Sequence, residues 1–301
     1  KAVNAYNALK DWGMQISLGS VTSTPGTATA AENDNDRIFA LTPSASATTV
    51  TEGHDNVFQM CFADPNQGSA SAQYIADQQL ATKVGVIYKN DDVYSSGIYE
   101  TFATRANELG LNIVSTTTFT TDSQNDFTVQ LQDAKNAGAD LLFLPMYYDA
   151  ASLILSQAND MGYAPKFFGV DGMDGILTME GFNAELAEGV ILLTPFSADA
   201  DDERTKAFVA KYQELHGEVP NQFAADGYDC VYAIYGAMKK AIDEGADIDV
   251  TISAADLCEI MKAQFEGGYT VTNAVTGDSI TWESTGYVNK TAIQYVIKEV
   301  G

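Results

Sequence analysis

The chain has 301 residues, 46% hydrophobic and 19% charged, a balance that can fill one large core or two ordinary ones. It carries 41 acidic residues against 16 basic ones, a formal charge of −25, and that field repels nucleic acid and anionic membrane surfaces. No apolar run approaches the roughly 18 residues of a spanning helix, so the chain is expected not to cross a membrane.

In chain order, residues 1–12 predict a helix with Val3, Tyr6, Ala8 and Leu9 on one side. No signal sequence is recognised there, and an opening inside a helical pattern reads as a cut N-terminus. Residues 14–18 predict a strand. Thr24 and Pro25 follow as an N-cap and a proline at the first helical position. A strand is expected at 37–41, then helix 67–80, strand 83–88, helix 96–109 and strand 112–119. Helix 126–137, strand 140–145, helix 150–161 and strands 166–170 and 189–195 continue the alternation. Three longer helices are expected near 202–216, 222–244 and 253–265, and the tail 279–300 alternates like antiparallel strands.

Strand–helix repetition with glycine at the helix ends predicts parallel sheets with helices on both faces. A helical block followed by late strands suits two sheets that the chain visits more than once. Crossing points are expected near 64–68, 194–198 and Gly286.

Motifs for chemistry are missing. There is no dinucleotide or Walker glycine loop and no nucleophile elbow. His54 and His216 lack partners at metal-ligand spacing. Glu32 to Asp36 matches a calcium loop in composition only, and a solvated helix end is the better account. Cys61, Cys230 and Cys258 are widely separated and are expected to be small buried residues. No metal and no cofactor are expected, and catalysis is argued against.

In open parallel sheets, ligands sit outside the carboxyl ends of the strands. Ser23, Ser44 and Ser46 follow the first two strands, and their loops offer hydroxyls and backbone N–H groups to an anion. Tyr94 and Tyr147 follow two later strands and offer flat faces with polar tips. Asp171 follows another and suits an ammonium. Together these groups match a zwitterion with a modest side chain. Taken singly, a serine after a strand is more often a turn or cap, and Asp171 before glycine reads equally as a turn.

The stretches 38–46, 58–68 with Asp64-x-x-Gln67-Gly68, 84–97, 127–147, 168–172 and 223–232 resemble the leucine/isoleucine/valine-binding protein family, the type I periplasmic binding proteins of branched-chain amino acid importers. That resemblance implies an α/β fold of two lobes, each a mostly parallel sheet flanked by helices, with three hinge crossovers. Lobe I would take 1–63 plus 196–284, and lobe II 64–195 plus 285–301. Carboxylate and amine contacts would fall on Ser23, Ser44 and Ser46, clamp tyrosines on Tyr94 and Tyr147, and the ammonium-binding acid on Asp171. An aromatic would fall on Phe223, and Asp64 would lie at the first hinge crossing. The family's opening strand–helix–strand segment has no counterpart here, and Thr22 stands where the family has a cysteine.

The function so implied is capture of a free amino acid, branched-chain or otherwise apolar, by hinge closure. The solute would pass to the permease of an ABC importer outside the cytoplasm, in the periplasm or lipid-anchored at the cell surface. The protein is expected to act as a monomer. The alternatives are the sensor half of a receptor and a doubly wound hydrolase using Asp171 and Asp64.

Overall fold

The computed structural model describes residues 1–290 and 293–297. The chain opens with α1 (Ala2–Trp12), β1 (Ile16–Leu18), α2 (Ser23–Asp36), β2 (Phe39–Thr42) and β3 (Val57–Gln59). An alternating series follows: α3 (Asp64–Asp77), β4 (Val84–Lys89), α4 (Val93–Leu109), β5 (Ile113–Phe119), α5 (Thr128–Ala137), β6 (Leu141–Leu144), α6 (Tyr148–Asp160), β7 (Lys166–Gly169) and β8 (Ile191–Thr194). Then come α7 (Glu203–His216), α8 (Gln222–Asp243), α9 (Ala254–Glu266), β9 (Val271–Ala274), β10 (Gly277–Trp282), β11 (Val288–Asn289) and β12 (Ile293–Val296).

The chain divides into two compact units. Unit 1 is Lys1–Ala63 with Pro195–Thr291, and unit 2 is Asp64–Thr194 with Ala292–Gly301. The second passage falls one residue before the expected one. The third falls after Thr291 rather than at 284, because β11 pairs with β10 through Thr281–Asn289 and Trp282–Val288 and so stays in unit 1.

Unit 1 holds the parallel sheet β1-β2-β3 and a separate antiparallel sheet β11-β10-β9. Its core is aromatic. Phe39, Phe58 and Phe265 lie with ring centroids 4.9–5.4 Å apart, and Trp282 packs on Phe265 at 4.4 Å. Cys230, Ala233 and Ala237 give α8 a face of small residues at helical spacing, which brings it close to this cluster. Cys61, Cys230 and Cys258 are buried, in no disulfide, and all in unit 1.

Two local expectations change. The N-cap of α2 is Thr22, so Pro25 stands third in the helix rather than first. Proline is accepted there because first-turn N–H groups have no intrahelical acceptor to lose. On α1 only Tyr6 is buried, and Leu9 is 51% exposed. The contact with α2 is polar: the Tyr6 hydroxyl reaches the Glu32 carbonyl and the Asp36 carboxylate. The acidic run is the last turn of α2, where Lys10 pairs with Asp36 and Arg37 with Asp34. These cations offset acids placed at the unfavourable end of the helix dipole.

Unit 2 is one sheet in the order β12-β8-β7-β6-β4-β5, parallel except for β12 against β8. All four residues of β6 are buried, as expected where helices cover both faces. α3 starts at Asp64, three residues before its expected start, with the acid at the positive end of the helix dipole and Pro65 in the first turn. α3 and α4 approach closely at Gly68, where a Cβ would stand 2.1 Å from Thr101 Oγ1 and 2.3 Å from the Ile98 carbonyl.

Candidate functional site

In unit 2, the neighbouring parallel strands β4, β6 and β7 end on the same edge of the sheet. α4 begins beyond β4 and carries Tyr94 in its first turn. Tyr147 caps α6 beyond β6, and Asp171 opens a 3-10 turn beyond β7. These three residues come together. The Tyr94 hydroxyl donates to Asp171 Oδ1 at 2.5 Å and accepts from the Gly172 amide at 2.8 Å. The Tyr94 ring stacks on Tyr147 with centroids 4.5 Å apart and planes 19° apart. A Cβ on Gly172 would lie 2.5 Å from the Tyr94 hydroxyl and 3.0 Å from Tyr147 Cδ1, so the backbone fits there only without a side chain.

Tyr94 and Asp171 are 1% and 2% exposed, whereas Tyr147 is half-buried. Burial, and then the charge of Asp171, push the Tyr94 phenol well above its ordinary pKa, with Tyr147 and Asp64 adding to the shift. The phenol therefore stays protonated and acts as a fixed donor. Asp64, 1% exposed, is the first residue of unit 2 and belongs to the same neighbourhood. Gln67, one turn further along α3, accepts from the Asp171 amide at 3.3 Å. Two buried carboxylates beside a neutral phenol suit a cation.

In unit 1, three side chains hold the loop from Thr42 to Ala47. Thr42 Oγ1 donates to the Ser20 carbonyl at 2.6 Å and accepts from the Ala45 amide at 3.0 Å. Ser23 Oγ accepts from the amides of Ser46 and Ala47, each at 3.1 Å. Gln59 Nε2 donates to the carbonyls of Ala45 (2.8 Å) and Ala47 (3.1 Å). The loop amides expected to face an anion are thus turned inward at 45, 46 and 47. What the loop keeps to offer is hydroxyl hydrogens. Ser46 Oγ is buried and has no hydrogen-bond partner among the described residues. Ser44 is 5% exposed on the same loop. Phe223 is half-buried in the first turn of α8, also in unit 1.

Gln59, Gln67 and the role of Thr42 were not evident as site features from the sequence. Gln67 had one signal: it stands three residues after Asp64, which puts both on one face of α3. Gln59 had none, because a three-residue, fully buried strand shows no alternation.

A family model described as "Periplasmic binding protein" matches residues 1–291. Among curated proteins, a leucine-, isoleucine-, valine-, threonine- and alanine-binding protein of Pseudomonas aeruginosa is 22% identical over 242 residues, covering 80% of this chain and 64% of that protein. A Leu/Ile/Val-binding protein homolog of Brucella abortus is 25% identical over 255 residues, with the same coverages. The chain therefore spans less than two thirds of the length of these relatives. A leucine-binding protein of Thermotoga maritima has a solved structure that superposes with a TM-score of 0.83 at 25% identity, covering 100% of this chain and 81% of that one. A solute-binding protein of R. palustris in complex with benzoate superposes at 0.84 with 16% identity, covering 99% and 78%. With a family model matched over nearly its whole length, this chain belongs to the periplasmic binding protein family.

Proposed function

We propose that this protein is the extracytoplasmic solute receptor of an ABC importer, and that it takes a free α-amino acid with an apolar side chain and does no chemistry on it. In this reading Ser46, Ser44 and Ser23 of unit 1 meet the carboxylate, Asp171 of unit 2 meets the ammonium, and hinge motion closes the two units on the solute. Tyr147 and Phe223 supply apolar surface, Asp64 stands at the first hinge passage, and the loaded protein docks on the importer's permease.

The observation that carries the reading is the buried Asp171 carboxylate, oriented by Tyr94. A carboxylate held out of water favours a cationic partner, which a free amino acid brings and a simple organic acid does not. The fold alone does not choose, since the R. palustris protein is a benzoate complex on the same scaffold. Two relatives named for leucine and its neighbours support the amino-acid choice.

Isothermal titration against the twenty amino acids tests it, with micromolar binding of an apolar one, about −8 kcal/mol, as the expected result. Asp171→Ala should weaken that binding by about 2–5 kcal/mol, because the ligand ammonium loses its partner. An affinity within twofold of the parent would remove Asp171 from the site. Turnover of amino-acid amides or peptides would instead support a hydrolase.

A further inference from the structure

The last residue of β3, Gln59, is completely buried and bonded on three sides. Its side-chain amide donates to the carbonyls of Ala45 and Ala47, which flank Ser46. Its backbone amide donates to the Gly286 carbonyl at 3.0 Å, and its own carbonyl accepts from the Trp282 indole at 2.7 Å. One residue on, the Met60 carbonyl accepts from Lys290 Nζ at 3.0 Å. The Lys290 side chain is 1% exposed, and its ammonium also donates to Asp226 Oδ1 and Thr276 Oγ1, each at 2.7 Å.

The turn between β10 and β11 is seated directly on β3. Gly286 has φ 82°, and a Cβ there would lie 2.4 Å from the Val57 carbonyl. So β3 joins two things within unit 1: the serine loop, through the Gln59 side chain, and the hairpin leading to the third passage of the chain, through its backbone. β3 itself runs into the first passage, four residues later.

We infer that Gln59 is a positioning residue that couples the serine loop to the β10–β11 hairpin, so that solute on the loop is felt at Trp282. The inference rests on the proposal that the loop takes the solute's carboxylate. The physical basis is that the Gln59 amide is completely buried and gives its donor nitrogen to the two carbonyls that flank Ser46. Its Oε1 has no hydrogen-bond partner among the described residues, so its two donor bonds alone set its orientation. A carboxylate that pulls Ser46 outward must either break these bonds or move β3 with it.

The sequence supplies a reporter. There are two tryptophans, and Trp12 is 84% exposed whereas Trp282 is 6% exposed. In a Trp12→Phe background, leucine titrations are followed both by calorimetry and by Trp282 emission, with and without Gln59→Met, which keeps length and removes the donor. The expected result is a saturable emission change in the background protein. In Gln59→Met the affinity should fall at least tenfold, and the emission change at saturation should disappear. Unchanged affinity would overturn the inference. Weakened affinity with the emission change intact would also overturn it, because Gln59 would then be merely structural. If Gln59→Met does not fold, Trp282→Phe, which deletes the indole bond to Gln59, should weaken leucine binding at least threefold, and parental affinity would overturn the coupling. Absence of binding by the background protein to every amino acid tried would overturn the functional reading itself, and this inference with it.

Discussion

The hydroxyl of Tyr94 donates to Oδ1 of Asp171 while taking the amide hydrogen of Gly172, the residue next to Asp171. One phenol therefore fixes both the side chain of residue 171 and the backbone just after it. Tyr94→Phe removes both bonds and keeps the ring stacked on Tyr147. The variant should fold, and its amino-acid affinity should fall by about 1–3 kcal/mol, the cost of a buried polar group left unmatched. Calorimetric affinity equal to the parent's would show that Asp171 needs no such support.

Ser46 separates stability from binding. Its Oγ is buried with no partner among the described residues, a burden of about 1–3 kcal/mol on the solute-free protein. Ser46→Ala should therefore leave the melting temperature without solute unchanged or higher, and should reduce the added stabilisation given by leucine. Thermal-shift scans with and without leucine measure both. A lower melting temperature without solute would contradict the assignment.

Gly68 lies where α3 crosses α4. A methyl group at this position would stand 2.1 Å from Thr101 Oγ1 and 2.3 Å from the Ile98 carbonyl, and the backbone atom cannot rotate away. Gly68→Ala should destabilise unit 2 by about 1–3 kcal/mol through overpacking. Chemical denaturation followed by circular dichroism reads the loss.

Asp202 caps α7, with Oδ1 accepting from the amides of Arg204 and Thr205 and Oδ2 from the Thr205 hydroxyl. The Thr205 hydroxyl, reinforced by the Thr205 amide and by Arg204, holds this carboxyl below its ordinary pKa, against the effect of burial. A depressed folded-state pKa means that the stabilisation is present above the unfolded value of 3.8 and is lost as pH falls through that value towards the folded one. Asp202→Asn keeps an acceptor at the cap but does not titrate. Melting temperatures of parent and variant from pH 5 to pH 2.5 should converge at the acid end. A constant difference across that range would exclude the linkage.

Legibility in the sequence followed the length and regularity of the elements. The alternating series from residue 64 to 194 is readable because strands and amphipathic helices alternate and helices such as α4 and α5 stop at a left-handed glycine, Gly110 and Gly138. β3 was not readable: its three residues are all buried, the polar Gln59 included, and are too few to create a period. The tyrosines and Asp171 stand out, with the serines, as residues placed just after strands. Their division of labour was hidden, since nothing in the sequence tells that Tyr94 lies beneath Tyr147 and grips Asp171. The inward turn of the serine loop was equally hidden, because it depends on Ser23 reaching across 23 residues to the amide of Ser46.

All three thiols lie in unit 1 and none in unit 2, and each is shielded from solvent. A thiol-specific reagent therefore reaches them only when unit 1 opens, and at Cys230 burial, with the charge of Asp226, also holds the thiol well above its ordinary range. Labelling rates become a clock for the unfolding of one half of the molecule while the other half stays silent.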